Sequence, residues 1–212
     1  MMSDDKYVVS IGRQLGSGGR EIGERLAQVL RIGYFDRQLL EIASKESGVS
    51  PEFFKKADEY RQKFSVRGFF GSRLLSAQPI SMGYQNYLDN DSLFSIQSEV
   101  IRKLAAEQSC LFIGRCADYI LRDNPRCVNL FITAPHEARL ARIMKRHPEY
   151  TSQQIEGFMQ KADRQRSAYY NYYTGKTWGA TSSYHLSIDS SLLEIDATVE
   201  FLRQFIVGYL HL

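Results

Sequence analysis

Cysteine, proline and histidine are all scarce in this chain of 212 residues. The three cysteines, Cys110, Cys116 and Cys127, lie six and eleven residues apart and form no Cys-x-x-Cys pair. Three are too few for a disulfide framework and the spacing argues against a zinc site, so a reducing, cytoplasmic setting is expected. The four histidines, His136, His147, His185 and His211, show no metal-ligand spacing. Long apolar runs are missing as well. None approaches the roughly 20 residues of a membrane helix, and the first six residues lack the apolar stretch of a signal peptide. An excess of one charge is also missing: 27 Lys+Arg against 24 Asp+Glu leave +3. That balance lends nucleic-acid binding little support, and no membrane partner is expected.

What is present is an ordinary globular composition, 43% hydrophobic and 24% charged, which suffices to bury a core. Short apolar runs at Tyr7-Val8-Val9-Ser10-Ile11, 33–36, 110–113, 128–132 and 185–189 read as strands. Between them, apolar residues at helical spacing predict helices over 21–30, with Ile22, Leu26, Val29 and Leu30 inward, and over 39–47, 91–108 and 136–146. Another helix starts at Pro51 after Ser50 as a cap. A long polar, basic helix is expected over 152–173, and a last one over 194–209. Residues 64–91 mix Gly, Ser, Pro and aromatics and read as an insertion. Solid apolar strands alternating with helices predict a parallel sheet covered on both faces. The loops at the strands' carboxyl ends are then the place for function.

The strongest local signal is Gly12-Arg13-Gln14-Leu15-Gly16-Ser17-Gly18-Gly19-Arg20-Glu21, between the first strand and the first helix. Its glycines let backbone N–H groups approach an anion, and the helix N-terminus adds the positive end of its dipole. A P-loop, Gly-x-x-x-x-Gly-Lys-Ser/Thr, sits at this place in a nucleotide-binding fold. Gly12 and Gly18 stand in for its two glycines, but Gly19 holds the lysine position and Arg20 the hydroxyl position. Arg20 is a surrogate cation one residue late, Arg13 is another within reach, and Ser17 is the hydroxyl of the loop. The other reading is a glycine turn that packs a helix on a strand.

The stretch from Ser10 through Gly16-Ser17-Gly18-Gly19-Arg20-Glu21-Ile22 resembles the opening of the cytidylate kinase-like family, nucleoside monophosphate kinases in which Gly-Ser-Gly-Gly-Arg-Glu replaces the lysine loop. The resemblance continues at Tyr34-Phe35-Asp36-Arg37, at Ile113-Gly114-Arg115-Cys116-Ala117-Asp118 and at Leu130-Phe131-Ile132-Thr133-Ala134-Pro135 with Arg139 and Arg142. It goes on through Arg166-Ser167-Ala168-Tyr169-Tyr170 to Tyr184-His185-Leu186-Ser187-Ile188-Asp189-Ser190. It implies one P-loop kinase domain over 1–212: a three-layer α/β sandwich on a five-stranded parallel sheet, a helical nucleoside monophosphate-binding insertion over 37–92, and a lid over 146–182. It implies transfer of the γ-phosphoryl group of ATP, with Mg2+, to CMP, dCMP or a similar small acceptor. Its partners are then small-molecule nucleotides. A weakly catalytic nucleotide-binding regulator of the same fold, or a kinase of another small metabolite, are the alternatives.

Phosphoryl transfer needs positioning and positive charge more than covalent help, and arginine's planar fork grips phosphate in two places. The expected catalytic cations are Arg20, Arg115, Arg164 and Arg166. The expected ATP site is Gly12, Arg13, Gly16, Ser17, Gly18, Gly19, Arg20 and Glu21, with Arg139 toward the adenine. The expected acceptor site is Asp36, Arg37, Arg115 and Asp118. Asp118 has two readings, base recognition or a cap on a short helix. No metal ligand is assigned, although Glu21 is a substitute for the missing carboxylate after the third strand.

Overall fold

The computed structural model describes residues 6–36 and 85–212. The helices expected over 39–47 and from Pro51, Arg37, and the insertion as far as residue 84 lie outside the described residues. The chain divides into two compact units, residues 1–36 with 102–212, and residues 37–101. The described part of the second unit is the first portion of helix α2 (Gln85–Glu107), in which Ser98 Oγ donates to the carbonyl of Phe94 at 2.7 Å.

The first unit is built on five strands, β1 (Val8–Arg13), β2 (Gly33–Phe35), β3 (Cys110–Ile113), β4 (Cys127–Thr133) and β5 (Leu186–Asp189). They form one all-parallel sheet in the order β2-β3-β1-β4-β5. Its helices are α1 (Gly19–Leu30), α3 (Ala117–Ile120), α4 (His136–Arg146), α5 (Ser152–Thr174) and α6 (Ile195–Leu210). The five-stranded α/β architecture is the one expected. No described helix is long and apolar enough to cross a membrane.

The period of two along each strand sends alternate side chains to opposite faces. Val9 and Ile11 of β1, Leu111 and Ile113 of β3, and Leu130 and Ile132 of β4 thus share one face, covered by Ile22 and Leu26 of α1 and by Leu202 and Ile206 of α6. Burying such side chains stabilises the fold by about 1.5–3 kcal/mol each. Val29 departs from expectation: it is exposed, in the last turn of α1, although it shares a helix face with Ile22 and Leu26. On the opposite face Phe112 stacks on Phe35 with ring centroids 5.5 Å apart. All three cysteines are free and buried, and burial pushes the thiols of Cys110 and Cys127 up to about 12.

Two helix boundaries bear on the site. Thr151 and Gln154 make a reciprocal capping box at the start of α5, and Gly175, at φ 66°, ends that helix. β1 lies between β3 and β4, while the chain leaves β1 toward β2 and leaves β3 toward β4. A crevice therefore opens at the carboxyl ends of these central strands.

Candidate functional site

The loop leaving β1 runs from Gln14 to Gly18, and its polarity is sorted. Its carbonyls are taken from behind. Ser17 Oγ donates to the carbonyl of Gln14 at 2.9 Å, Arg139 to that of Leu15 at 3.2 Å and Arg142 to that of Gly16 at 2.8 Å. Ser190 Oγ donates to the carbonyl of Ser17. By contrast, the N–H groups of Gly16, Gly18, Arg20 and Glu21 have no partner among the described residues. Backbone donors left over at a helix N-terminus form a nest for an anion. Two backbone conformations shape it: Gly16 has φ 83° and Gly18 φ 79°, the left-handed region open to glycine.

Gly12 does something else. It belongs to β1, and a Cβ there would stand 2.7 Å from the Phe131 ring, so its role is close packing. Gly12 and Gly18 have five residues between them, one more than the P-loop pattern. The glycine pair that turns the loop is Gly16 and Gly18.

The loop is tied to α5 through Asp163. Its Oδ1 accepts from the N–H of Leu15 at 2.8 Å, and its Oδ2 from Arg139 at 2.6 Å. The Arg139 and Asp163 side chains are only 11% and 16% exposed. Arg166, one turn on, lies 3.6 Å from Asp163 and donates to the carbonyl of Arg13 at 3.1 Å. Burial holds the Arg166 guanidinium below the usual arginine range, against the pull of Asp163 and Asp36. Arg139 thus braces the loop from behind in this structure. Arg164 is exposed on the same helix.

Cations gather where β1, β2 and β3 end. Asp36 follows β2 and sits 3.2 Å from Arg20 Nε and 3.9 Å from the Arg13 guanidinium. After β3, Gly114, Arg115 and Cys116 have φ values of 71°, 63° and 56°. A run of left-handed residues is strained, of order 1–3 kcal/mol for each non-glycine, and such strain clusters at functional sites. It turns the chain at Arg115, at the end of β3, and the Arg115 NH1 atom is buried without a hydrogen-bond partner among the described residues. Glu21 is drawn away from the loop, paired with Arg25 at 2.7 Å and with Arg146. Among the described residues no group of three His, Cys, Asp or Glu stands ready to hold a metal.

Asp118 lies in the first turn of α3 and is 4% exposed. Its Oδ2 accepts from the Tyr170 hydroxyl at 2.7 Å, which fastens α5 over it. Burial raises the Asp118 pKa, opposed by the Tyr170 hydroxyl and Lys176. The folded state therefore binds the Asp118 proton more tightly than the unfolded chain does. Stability from this group is present below the unfolded pKa, about 4, and is lost as pH rises through the folded value. The difference in unfolding free energy between wild type and Asp118→Asn should fall with pH above about 4, measured by urea titration at each pH. A flat difference from pH 4 to 8 would refute this.

Of the tyrosines on α5, Tyr170 is buried, while Tyr172 is exposed and stacks edge-on with Tyr173. Tyr184 and Trp178 pack on Phe131, at 4.9 and 5.2 Å between centroids. Two residues of the site were not singled out from the sequence. Asp163 carried a signal, a lone acid between basic residues and three before Arg166. Gln14 carried none; its Oε1 accepts from the N–H of Ala134 at 3.3 Å and from Thr133 Oγ1, tying the loop to the end of β4.

An uncharacterized protein from Eubacterium ventriosum has a similar fold, with a TM-score of 0.68 and 23% identity over 95% of this chain and 98% of that one. Shikimate kinases from Bacteroides thetaiotaomicron and Acinetobacter baumannii are also similar. Their TM-scores are 0.51 and 0.50 at 12% and 13% identity, covering 94% and 96% of this chain and 98% and 94% of theirs. No curated protein matches the chain. The family model described as "Cytidylate kinase-like family" matches residues 8–192, through the loop, β3 and its arginine, and β5; the chain belongs to that family.

Proposed function

We propose that this protein is an ATP-dependent phosphotransferase acting on a pyrimidine nucleoside monophosphate, CMP or dCMP, in the cytoplasm. The observation that carries this reading is the sorted polarity of the Gln14–Gly18 loop: carbonyls bonded from behind, amides of Gly16, Gly18, Arg20 and Glu21 without a partner among the described residues. That cradle fits the phosphates of ATP. The acceptor's phosphate oxygen bonds to the γ-phosphorus as the bond to the bridging oxygen breaks, and its electron pair leaves on ADP. Such an acceptor is already ionised, so no general base is needed. What the site must supply is charge around the transferring group, and Arg115 and Arg166 supply it from the end of β3 and from α5. Magnesium supplies charge neutralisation when bound. It would be held largely by phosphate oxygens and water, and Asp36, beside Arg13 and Arg20, is a carboxylate that could join them.

One observation favours a different acceptor. Asp118, for which base recognition is one of two readings, is closed off beneath Tyr170. A small metabolite with a hydroxyl group is therefore the second reading. ADP release from ATP and magnesium, measured with CMP, dCMP, UMP and hydroxyl acceptors, separates the two. The expected result is turnover with a pyrimidine monophosphate, reduced about 100- to 1000-fold by Arg115→Ala. Turnover with hydroxyl acceptors alone would select the metabolite kinase. Binding of an ATP analogue with no turnover on any acceptor would make the protein a nucleotide-binding regulator.

A further inference from the structure

We propose that Arg13, at the end of β1, supplies the phosphate-facing cation that a P-loop lysine supplies, and that its stem is the reason residue 19 is glycine. The assignment rests on the reading of the loop as an ATP cradle. Two glycines clear a path for this one side chain. A Cβ on Gly19 would stand 2.6 Å from Arg13 Cβ and 3.1 Å from its Cγ. A Cβ on Gly114 would stand 2.3 Å from Arg13 NH1. The stem therefore passes over the first residue of α1, and the guanidinium lies against the end of β3. The backbone from which it departs is fixed, since Arg166 donates to the Arg13 carbonyl at 3.1 Å.

A lysine at residue 19 and an arginine at residue 13 exclude one another: their stems would occupy the same space at the start of α1. Arg20 is placed differently. Its side chain is 65% exposed and meets the Asp36 carboxylate at 3.2 Å, which Arg13 approaches only to 3.9 Å. Arg13 is the better buried of the two, at 20%, and reaches from β1 across to β3. The exchange also alters the chemistry. A guanidinium makes two directed bonds to phosphate oxygens, whereas an ammonium acts as a point charge.

The exchange can be reversed by mutation. Alanine at residue 13 keeps the obstructing Cβ, so the informative variants are Arg13→Gly, Gly19→Lys and the double Arg13→Gly/Gly19→Lys. Three readouts are needed: the unfolding midpoint without nucleotide, the affinity for a magnesium-bound non-hydrolysable ATP analogue by calorimetry, and ADP release. Gly19→Lys alone should lower the midpoint, and the double variant should restore it. Arg13→Gly should weaken the analogue at least tenfold and cut turnover about 100- to 1000-fold, with the double variant recovering most of both. A purely structural Arg13 would give a restored midpoint without restored affinity, which overturns the proposal. Wild-type affinity in Arg13→Gly overturns it as well. If the wild type itself binds no analogue, the cradle reading fails and this assignment with it.

Discussion

Replacing Asp163 with alanine is expected to lower stability by about 3 kcal/mol, since removing one partner of a buried pair leaves the other charge uncompensated. In a chain of this size that corresponds to roughly 6–12 °C in the unfolding midpoint. The loss has two sources. Arg139 is left with a buried charge, and the N–H of Leu15 loses its acceptor at 2.8 Å. Asp163→Asn keeps an acceptor for Leu15 but not the charge, so it should fall between wild type and alanine. Arg139 also holds the Leu15 carbonyl. A double-mutant cycle between Asp163→Ala and Arg139→Ala should therefore show coupling above about 1 kcal/mol. A midpoint shift under 1 °C for Asp163→Ala would mean that α5 does not hold the loop.

The second large effect falls on nucleotide binding. Gly16→Ala should reduce affinity for an ATP analogue by about 100-fold or more, from two costs that add. The backbone at φ 83° disfavours any side chain, by about 1–3 kcal/mol. The new Cβ would also lie 2.8 Å from the Arg139 carbonyl oxygen and 2.9 Å from Ile143 Cδ1. The carbonyl is backbone of α4 and has little room to yield, so the loop must deform and carry its amides away from the anion. Gly157→Ala is the matched control. It lies exposed in α5 with nothing within 4 Å of a Cβ, and alanine there should stabilise the helix by about 0.5–1 kcal/mol. Calorimetric titration of both variants, with unfolding curves alongside, checks the pair. Unchanged affinity in Gly16→Ala would remove the loop from the binding site.

The architecture was readable because its signals are local. Cys110–Ile113 and His136–Arg146 agree in both bounds with the apolar run and the helical periodicity that predicted them. β1 runs two residues further than its apolar run, through Gly12 and Arg13, because pairing with Phe131 and Ile132 of β4 continues there. The site was readable in outline for the same reason. Glycines and arginines after strands mark the crevice wherever a parallel sheet forms. The assignments that shifted depend on residues far apart in the chain. By sequence Gly12 is the first loop glycine, but the Phe131 ring against it makes it a packing position. Glu21 looked available until Arg146 reached it from α4. Asp118 had two readings from its neighbours, and the Tyr170 hydroxyl, 52 residues on, set its surroundings.

Among the described residues, the amino-acid order by itself determined where the strands and most of the helices lie, that a glycine loop opens a helix after β1, and that no lysine stands in it. Those features follow from side-chain period, backbone freedom and residue identity, which act within a few residues. Only the tertiary structure decided which of the loop's polar groups remain available. Asp163, 148 residues from Leu15, and Arg142, 126 residues from Gly16, take up the loop's groups from behind. The amides left over are a property of that packing, because a hydrogen bond depends on which partner lies within about 3 Å, whatever its distance along the chain.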